Sequence, residues 1–230
     1  LDAAGLRRYR DPAVASDYDR RRYSSFWERI NEGFVRRAVL RAVRSVGGLR
    51  TMLDIPCGTG RFTHPLQRSG ISMLGSDLSP AMIAVAAGKG AGPRYVVADV
   101  TRLPFRDGAF DGAFNYRFLV HLDADQRVVA LREMARVARR ALVLGYDHRH
   151  SLKHLSRTLR HRLFGRKAPK PRVGRADVER DAERSGLAPP RIYRVAPGFS
   201  ENWVVVMEKK EKGSGPFSAA EKGPDPFSRH

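Results

Sequence analysis

Short apolar runs along the chain alternate with stretches whose apolar residues recur at helical spacing. The runs at 51–55, 72–76, 94–98, 110–115, 140–146, 191–195 and 202–208 are of strand length. The segments 61–69, 79–87, 124–138 and 175–185 fit helices between them. Upstream, Phe26, Ile30, Phe34, Ala38 and Val43 mark a helix from Phe26 to Val46 that Gly47-Gly48 terminates. Alternation of this kind predicts an α/β fold, a Rossmann-like doubly wound seven-stranded sheet with helices on both faces. Only six residues, Ala196 to Glu201, join the last two strands, and Pro197-Gly198 lies among them. That connection is too short for a crossover helix, so the sheet is predicted to be mostly parallel with a C-terminal antiparallel hairpin.

Three regions follow from this pattern. Residues 1–50 are expected to form an N-terminal helical cap or lid, 51–208 the α/β domain, and 209–230 a disordered tail rich in Gly, Pro, Ser and charge. Within the tail, Glu211–Ser218 nearly recurs as Glu221–Ser228, and two copies of ten residues are too few for a solenoid. At 230 residues and 42% apolar content the chain suits one domain with a sizeable core.

Charge changes this picture. The formal net charge is +19, which calls for an acidic ligand or surface. Residues 148–175 contribute ten Lys or Arg and no Asp or Glu. Within them Leu152, Leu155, Leu159 and Leu163 keep helical spacing, so a basic amphipathic helix is expected as an insertion after the fifth strand. It suits packing on the domain, an anionic membrane surface, or the phosphates of RNA; a single aromatic, Phe164, makes base stacking the weakest of these. The single cysteine, Cys57, leaves no internal disulfide or Cys-based zinc site, and a reducing cytoplasmic setting is the default, with peripheral attachment to the inner membrane surface open to the basic segment. No apolar run reaches 18 residues, and the first residues lack the apolar core of a signal peptide. The chain begins at Leu1, consistent with a fragment. The histidines at 148, 150, 154 and 161 lack an acidic co-ligand in their segment, so no metal is expected.

The candidate chemistry lies where strands end. Met52-Leu53-Asp54-Ile55-Pro56-Cys57-Gly58-Thr59-Gly60 takes an apolar strand through an acidic residue into two alternate glycines before a helix. Such a loop lets backbone approach a nucleotide-like ligand. A dinucleotide fingerprint would ask for a third glycine at 63, where Thr63 stands. Asp77 and Asp99 close the next two strands instead. One carboxylate suits a ribose diol, the other an adenine amine, and Asp54 suits the glycine loop or an ammonium group. The combination points to S-adenosylmethionine as cofactor.

With Leu53–Gly60, Gly75-Ser76-Asp77-Leu78-Ser79-Pro80-Ala81-Met82, Ala98-Asp99-Val100-Thr101-Arg102-Leu103-Pro104-Phe105 and Phe110-Asp111 in order, the chain resembles the class I S-adenosylmethionine-dependent methyltransferases of the type-11 group, from about Ala15 to Met207. The resemblance implies that Leu78 and Met82 flank the adenine and that Val100, beside Asp99, belongs to the same wall. It departs from many relatives at Pro56, where they carry glycine and which is expected to stiffen the loop, and at Ala138-Arg139-Arg140, which replaces a Pro-Gly-Gly turn. The segment 15–23 is similar to a lid in these families, which would bring Tyr18 and Arg22 to the cofactor's carboxylate; a solvated charged helix face accounts for it equally.

An open α/β sheet holds its ligands beyond the carboxyl ends of its strands. His121, after the fourth strand, is therefore the first candidate for a general base, with Asp147 and His148 after the fifth strand as second choices. Tyr116 suits orientation of an acceptor. The motif used on flipped bases is absent, with Asn115-Tyr116-Arg117-Phe118 in its place, and Cys57 lacks a paired base. The expected activity is methyl transfer to a small or lipid-linked, anionic acceptor, at oxygen. The rivals are an RNA methyltransferase gripping phosphates through 148–175, and a cofactor-binding partner protein without turnover.

Overall fold

The computed structural model describes residues 11, 14–18, 26–90, 92–148, 173–196, 200 and 202–210. The expectations for Arg22, for most of the basic segment and for the tail beyond 210 lie outside the described residues.

The elements run α1 (Phe26–Val46), β1 (Thr51–Asp54), α2 (Thr63–Arg68), β2 (Ser72–Asp77), α3 (Pro80–Ala87), β3 (Arg94–Val97), β4 (Phe110–Tyr116), a 3-10 turn (Leu119–His121), α4 (Ala124–Val137), β5 (Ala138–Asp147), α5 (Arg175–Arg184), β6 (Arg191–Arg194) and β7 (Asn202–Glu208). A further helical segment covers 14–18. Seven strands form one sheet in the order β3-β2-β1-β4-β5-β7-β6. The first five pair in parallel, and β7 runs antiparallel to both β5 and β6, as the short final connection requires.

The chain enters the sheet at β1, winds outward to β3, and returns to lay β4 on the other side of β1. That reversal opens a crevice at the carboxyl ends of β1 and β4. Both sheet faces are covered. Leu53, Leu131, Met134, Leu142, Leu144 and Val205 belong to one core; Met52, Phe62, Phe114, Val143, Val204 and Val206 belong to the other. Adjacent residues of β1 and β5 thus serve opposite cores, which is why these strands are apolar without alternation.

The helix over Phe26–Val46 has the bounds its spacing predicts. In α1 the buried stripe is Val35, Ala38, Val39, Ala42 and Val43, whereas Ile30 and Phe34 are 36% and 44% exposed. The stripe keeps i, i+3, i+4 spacing, but it belongs to the C-terminal half of the helix and joins the core that contains Val143, Val204 and Val206.

Local chemistry sets the helix starts. Ser79 caps α3, accepting from the Met82 amide at 3.2 Å, with Pro80 in the first turn. Asp123 and Gln126 form a reciprocal capping box on α4. That helix passes directly into β5 at Ala138, so Ala138-Arg139-Arg140 is strand and no turn is needed. Arg139 reaches Asp111 at 2.7 Å. Asp111 also accepts the amides of Arg50 and Thr51, both at 2.9 Å, which ties β1 to β4 at the edge opposite the crevice. Burial raises the Asp111 pKa, but the Arg139 hydrogen bond and the Thr51 and Arg50 amides outweigh it and hold the carboxyl below its ordinary value. Among the described residues no helix is long and apolar enough to cross a membrane.

Candidate active site

The loop from β1 to α2 forms the floor of a cavity at the carboxyl edge of the sheet. Its backbone is held by the Cys57 amide donating to the Ser76 carbonyl at 2.8 Å and the Gly60 amide to the Cys57 carbonyl at 3.1 Å. Gly58 and Gly60 both sit in the left-handed region, at φ +56° and +72°, where a Cβ is disfavoured. They differ in what they face. A Cβ on Gly58 would enter open space, while one on Gly60 would meet the Tyr95 hydroxyl at 2.9 Å and the Ala86 Cβ at 3.1 Å. Gly58 and Pro56 line the cavity; Gly60 is buried beneath it and serves packing.

Three carboxylates line the same cavity. Asp77, ending β2, accepts the Gly58 amide on Oδ2 and the Ser79 amide on Oδ1, each at 2.9 Å. Each oxygen keeps a lone pair for a ligand hydroxyl. Burial raises its pKa, with the Ser79 and Gly58 amides opposing. Asp99 accepts both the amide and the hydroxyl of Thr101 on Oδ1, at 2.8 Å each, which fixes the carboxylate and leaves Oδ2 without a bond from a described residue. Asp54 is 2% exposed and is held by the Thr63 hydroxyl at 2.6 Å. Burial, and secondarily the charge of Asp77, push its pKa up to about 7 against the Thr63 hydrogen bonds. Leu78, Met82 and Val100 complete the apolar wall on this side.

The opposite wall is aromatic and basic. Tyr116, at the end of β4, pairs in register with Gly145 of β5, and a Cβ on Gly145 would overlap its ring. Phe62 packs on Tyr116 with centroids 4.8 Å apart. The Arg61 guanidinium lies over both rings, 4.8 Å and 4.9 Å from their centroids, and its Nε donates to Glu32 of α1 at 2.9 Å. Tyr18, from the segment 14–18, reaches this wall, as do Arg117, Phe118 and the exposed His121 of the 3-10 turn. Burial pushes the Tyr116 phenol well above its usual range, so it stays protonated and does not act as a base, and among the described residues its hydroxyl has no hydrogen-bond partner.

Asp147 and His148 are not on the cavity wall. Asn202 donates to Asp147 at 2.5 Å across the β5–β7 pairing. His148 stacks on Trp203 with centroids 4.6 Å apart, and its Nε2 lies 3.1 Å from the Ser200 carbonyl. Their place beyond β5 suggests acceptor chemistry, but β7 covers that end of the strand and engages both side chains. Cys57 is buried and its thiol is pushed up, chiefly by burial, which leaves no thiolate nucleophile.

Several supporting residues are not singled out by the sequence. Thr101 stands two residues after Asp99, the spacing of a local turn closed by an acidic side chain, and that signal is readable. Leu103-Pro104-Phe105 proves to be an anchor for the Asp99 loop. Arg136 of α4 donates to the Leu103 and Phe105 carbonyls at 3.0 and 2.8 Å, and Glu133 accepts the Leu103 amide at 2.7 Å. The Arg61–Glu32 pair and the left-handed Arg117 have no sequence signal.

Comparison with known proteins bears on the family and the fold. Residues 53–143 match the family model described as a methyltransferase domain. Over 104 residues the chain is 41% identical to a demethylmenaquinone methyltransferase of Mycobacterium tuberculosis, covering 45% of this chain and 42% of that protein. Over 95 residues it is 38% identical to the O-methyltransferase resE of Aspergillus sclerotiorum, covering 38% of this chain and 35% of that one. The matches thus span less than half the length of these curated relatives. Among solved structures, magnesium protoporphyrin IX methyltransferase of Synechocystis with bound SAH superposes with a TM-score of 0.72 at 20% identity, over 90% of this chain and 100% of that one. A SAM-dependent methyltransferase of Archaeoglobus fulgidus gives 0.60 at 18% identity, over 77% and 94%; these two likenesses speak for the fold. Residues 53–143 are thus similar to a methyltransferase domain, and the chain has the fold of those solved structures.

Proposed function

We propose that the chain transfers a methyl group from S-adenosylmethionine to a small or lipid-linked anionic acceptor, at oxygen. The observation that carries this reading is the meeting of Gly58, Asp77 and Asp99 in one cavity. The residues fit the cofactor. Open space stands where a Gly58 Cβ would be, Asp77 keeps acceptor capacity for a diol, and Asp99 presents an unbonded oxygen for an exocyclic amine. Leu78 and Met82 supply apolar contact for a base plane, and Asp54 a carboxylate for an ammonium group. Tyr18 and Arg22 are assigned to the amino-acid end. Pro56 and Val100 shape the wall, and Gly60 supports the floor.

A bound cofactor would supply an electrophilic methyl on a sulfonium, taken in line by the acceptor as the carbon–sulfur bond breaks and the neutral thioether leaves. The protein's part is then mainly orientation, an effect that reaches roughly 7–11 kcal/mol in well-aligned intramolecular reactions. Phe62, Tyr116 and Phe118 wall the acceptor side. His121, exposed and on the cavity lining, is the residue we assign to take the proton that a hydroxyl acceptor loses. General-base help of this kind is worth about 10²–10⁴-fold. The names of the relatives, a quinone-type and an O-methyl-type enzyme, support a small or lipid-like acceptor.

The test is incubation of the whole chain with methyl-labelled donor and separate lipid, metabolite and RNA extracts. Label in the lipid or metabolite fraction, reduced about a hundredfold by His121→Ala with cofactor affinity unchanged, is the expected result. Label in RNA alone, or in none, contradicts it.

A further inference from the structure

At the end of β4 the backbone adopts a conformation that side chains disfavour. Arg117 has φ +66°, and among the described residues only Ala196 shares a positive φ without being glycine. Elsewhere the left-handed turns are made by glycine, as at Gly47, Gly70 and Gly186, where no Cβ opposes them. An arginine standing where glycine would relax the chain points to a use for the side chain.

Its position indicates that use. Arg117 is exposed and lines the cavity between Tyr116 and Phe118. The other arginine on the wall, Arg61, is committed to Glu32. Arg117 makes no hydrogen bond or ion pair with a described residue, although its charge reaches the Tyr116 hydroxyl. Charge is therefore divided across the cavity. Asp54, Asp77 and Asp99 stand at the ends of β1, β2 and β3, and an uncommitted guanidinium stands at the end of β4. From β3 to β4 is three strand spacings, about 14 Å at roughly 4.8 Å each. A nucleoside anchored over β2 and β3 brings its far end, or the molecule that meets it, over β4.

We propose that Arg117 is an anion-binding residue of this cavity, its guanidinium pairing with a carboxylate or similar oxyanion of the bound ligands. The inference rests on the methyl-transfer reading and deepens it. The oxyanion has two sources, the cofactor's own carboxylate or an acidic group on the acceptor. A planar guanidinium fork suits either.

The test uses the full chain and Arg117→Gly, which removes the side chain and relaxes the turn. Calorimetry compares S-adenosylmethionine with its decarboxylated analogue, which lacks only the carboxylate. Methyl label is then followed into the acidic and neutral pools of a metabolite extract separated by anion exchange. If the source is the cofactor, the unaltered chain prefers S-adenosylmethionine by about tenfold or more, and Arg117→Gly abolishes the preference. If the source is the acceptor, any donor preference is the same with and without the Arg117 side chain, label enters the acidic pool, and Arg117→Gly lowers that labelling about tenfold or more at low extract concentration. In either case the ligand-free variant melts no lower than the unaltered chain, because a strained residue has become glycine. A lower melting temperature with intact ligand preference and intact acidic labelling shows a structural role and overturns the proposal. So does an unaltered chain that shows neither donor preference nor acidic labelling. Failure to bind S-adenosylmethionine at all removes the methyl-transfer reading with it, whereas normal binding unaffected by the variant removes this inference alone.

Discussion

Asp54 is a carboxylate held in conflict. Burial drives its pKa up to about 7, Thr63 opposes, and the charge of Asp77 adds to the rise. Where no cation faces it, this carboxyl is largely protonated below neutrality. A cationic ligand group favours the ionised form, so binding is accompanied by proton release. The sign follows directly. Below about pH 7 each pH unit is expected to weaken cofactor binding by up to about tenfold, and above pH 8 the dependence flattens. Calorimetry at pH 6 and pH 8, in buffers of different ionisation enthalpy, reads both affinity and protons released. Since the folded pKa is raised, stability falls as pH rises from the unfolded value towards 7. Asp54→Asn therefore raises the melting temperature at pH 8 while weakening the cofactor. A variant that melts lower at pH 8 and binds normally would contradict this account of the residue.

At the scale of elements, the Asp99 loop owes its position to α4. Arg136 spans the Leu103 and Phe105 carbonyls, Asp107 and Glu133, and Glu133 holds the Leu103 amide. Leu103-Pro104-Phe105 is thus recognisable in the sequence while its partner helix is not, because the pairing joins residues about thirty positions apart. Arg136→Ala leaves two carbonyls and two carboxylates, Asp107 and Glu133, without this donor. The expected cost is about 1–3 kcal/mol of stability, with weakened cofactor binding as the loop loosens. Thermal melts and calorimetry check both, and Arg136→Lys is expected to recover only part, since an ammonium lacks the fork. A variant that keeps its stability and its affinity would show that the Asp99 loop stands without α4. The same scale explains what the sequence conceals in α1. Ile30 and Phe34 fit helical spacing, but spacing alone does not say where along the helix the sheet lies, and the buried stripe begins at Val35.

Over the whole molecule, the legible part of the fold was the part written in short periods. All seven strands and the helices between them follow from apolar runs and caps, and the hairpin from six residues holding a Pro-Gly turn. The floor of the site was legible too, since Gly58, Asp77 and Asp99 sit at fixed offsets from strand ends. What stayed hidden depends on tertiary placement. Asp147 and His148 end β5 as the rule for open sheets suggests, yet β7 lies beside that end and takes both side chains. Arg117 is one arginine among many in the sequence; only its left-handed backbone and its place on the wall set it apart. Every functional statement nevertheless returns to a single grip, Asp77 holding the Gly58 and Ser79 amides while facing the cavity. Calorimetric titration of the whole chain and of Asp77→Asn with S-adenosylhomocysteine tests it most directly. Saturable binding by the unaltered chain, weakened about tenfold or more in the variant, is the predicted result; no heat with the unaltered chain, or equal affinity in the two, contradicts it.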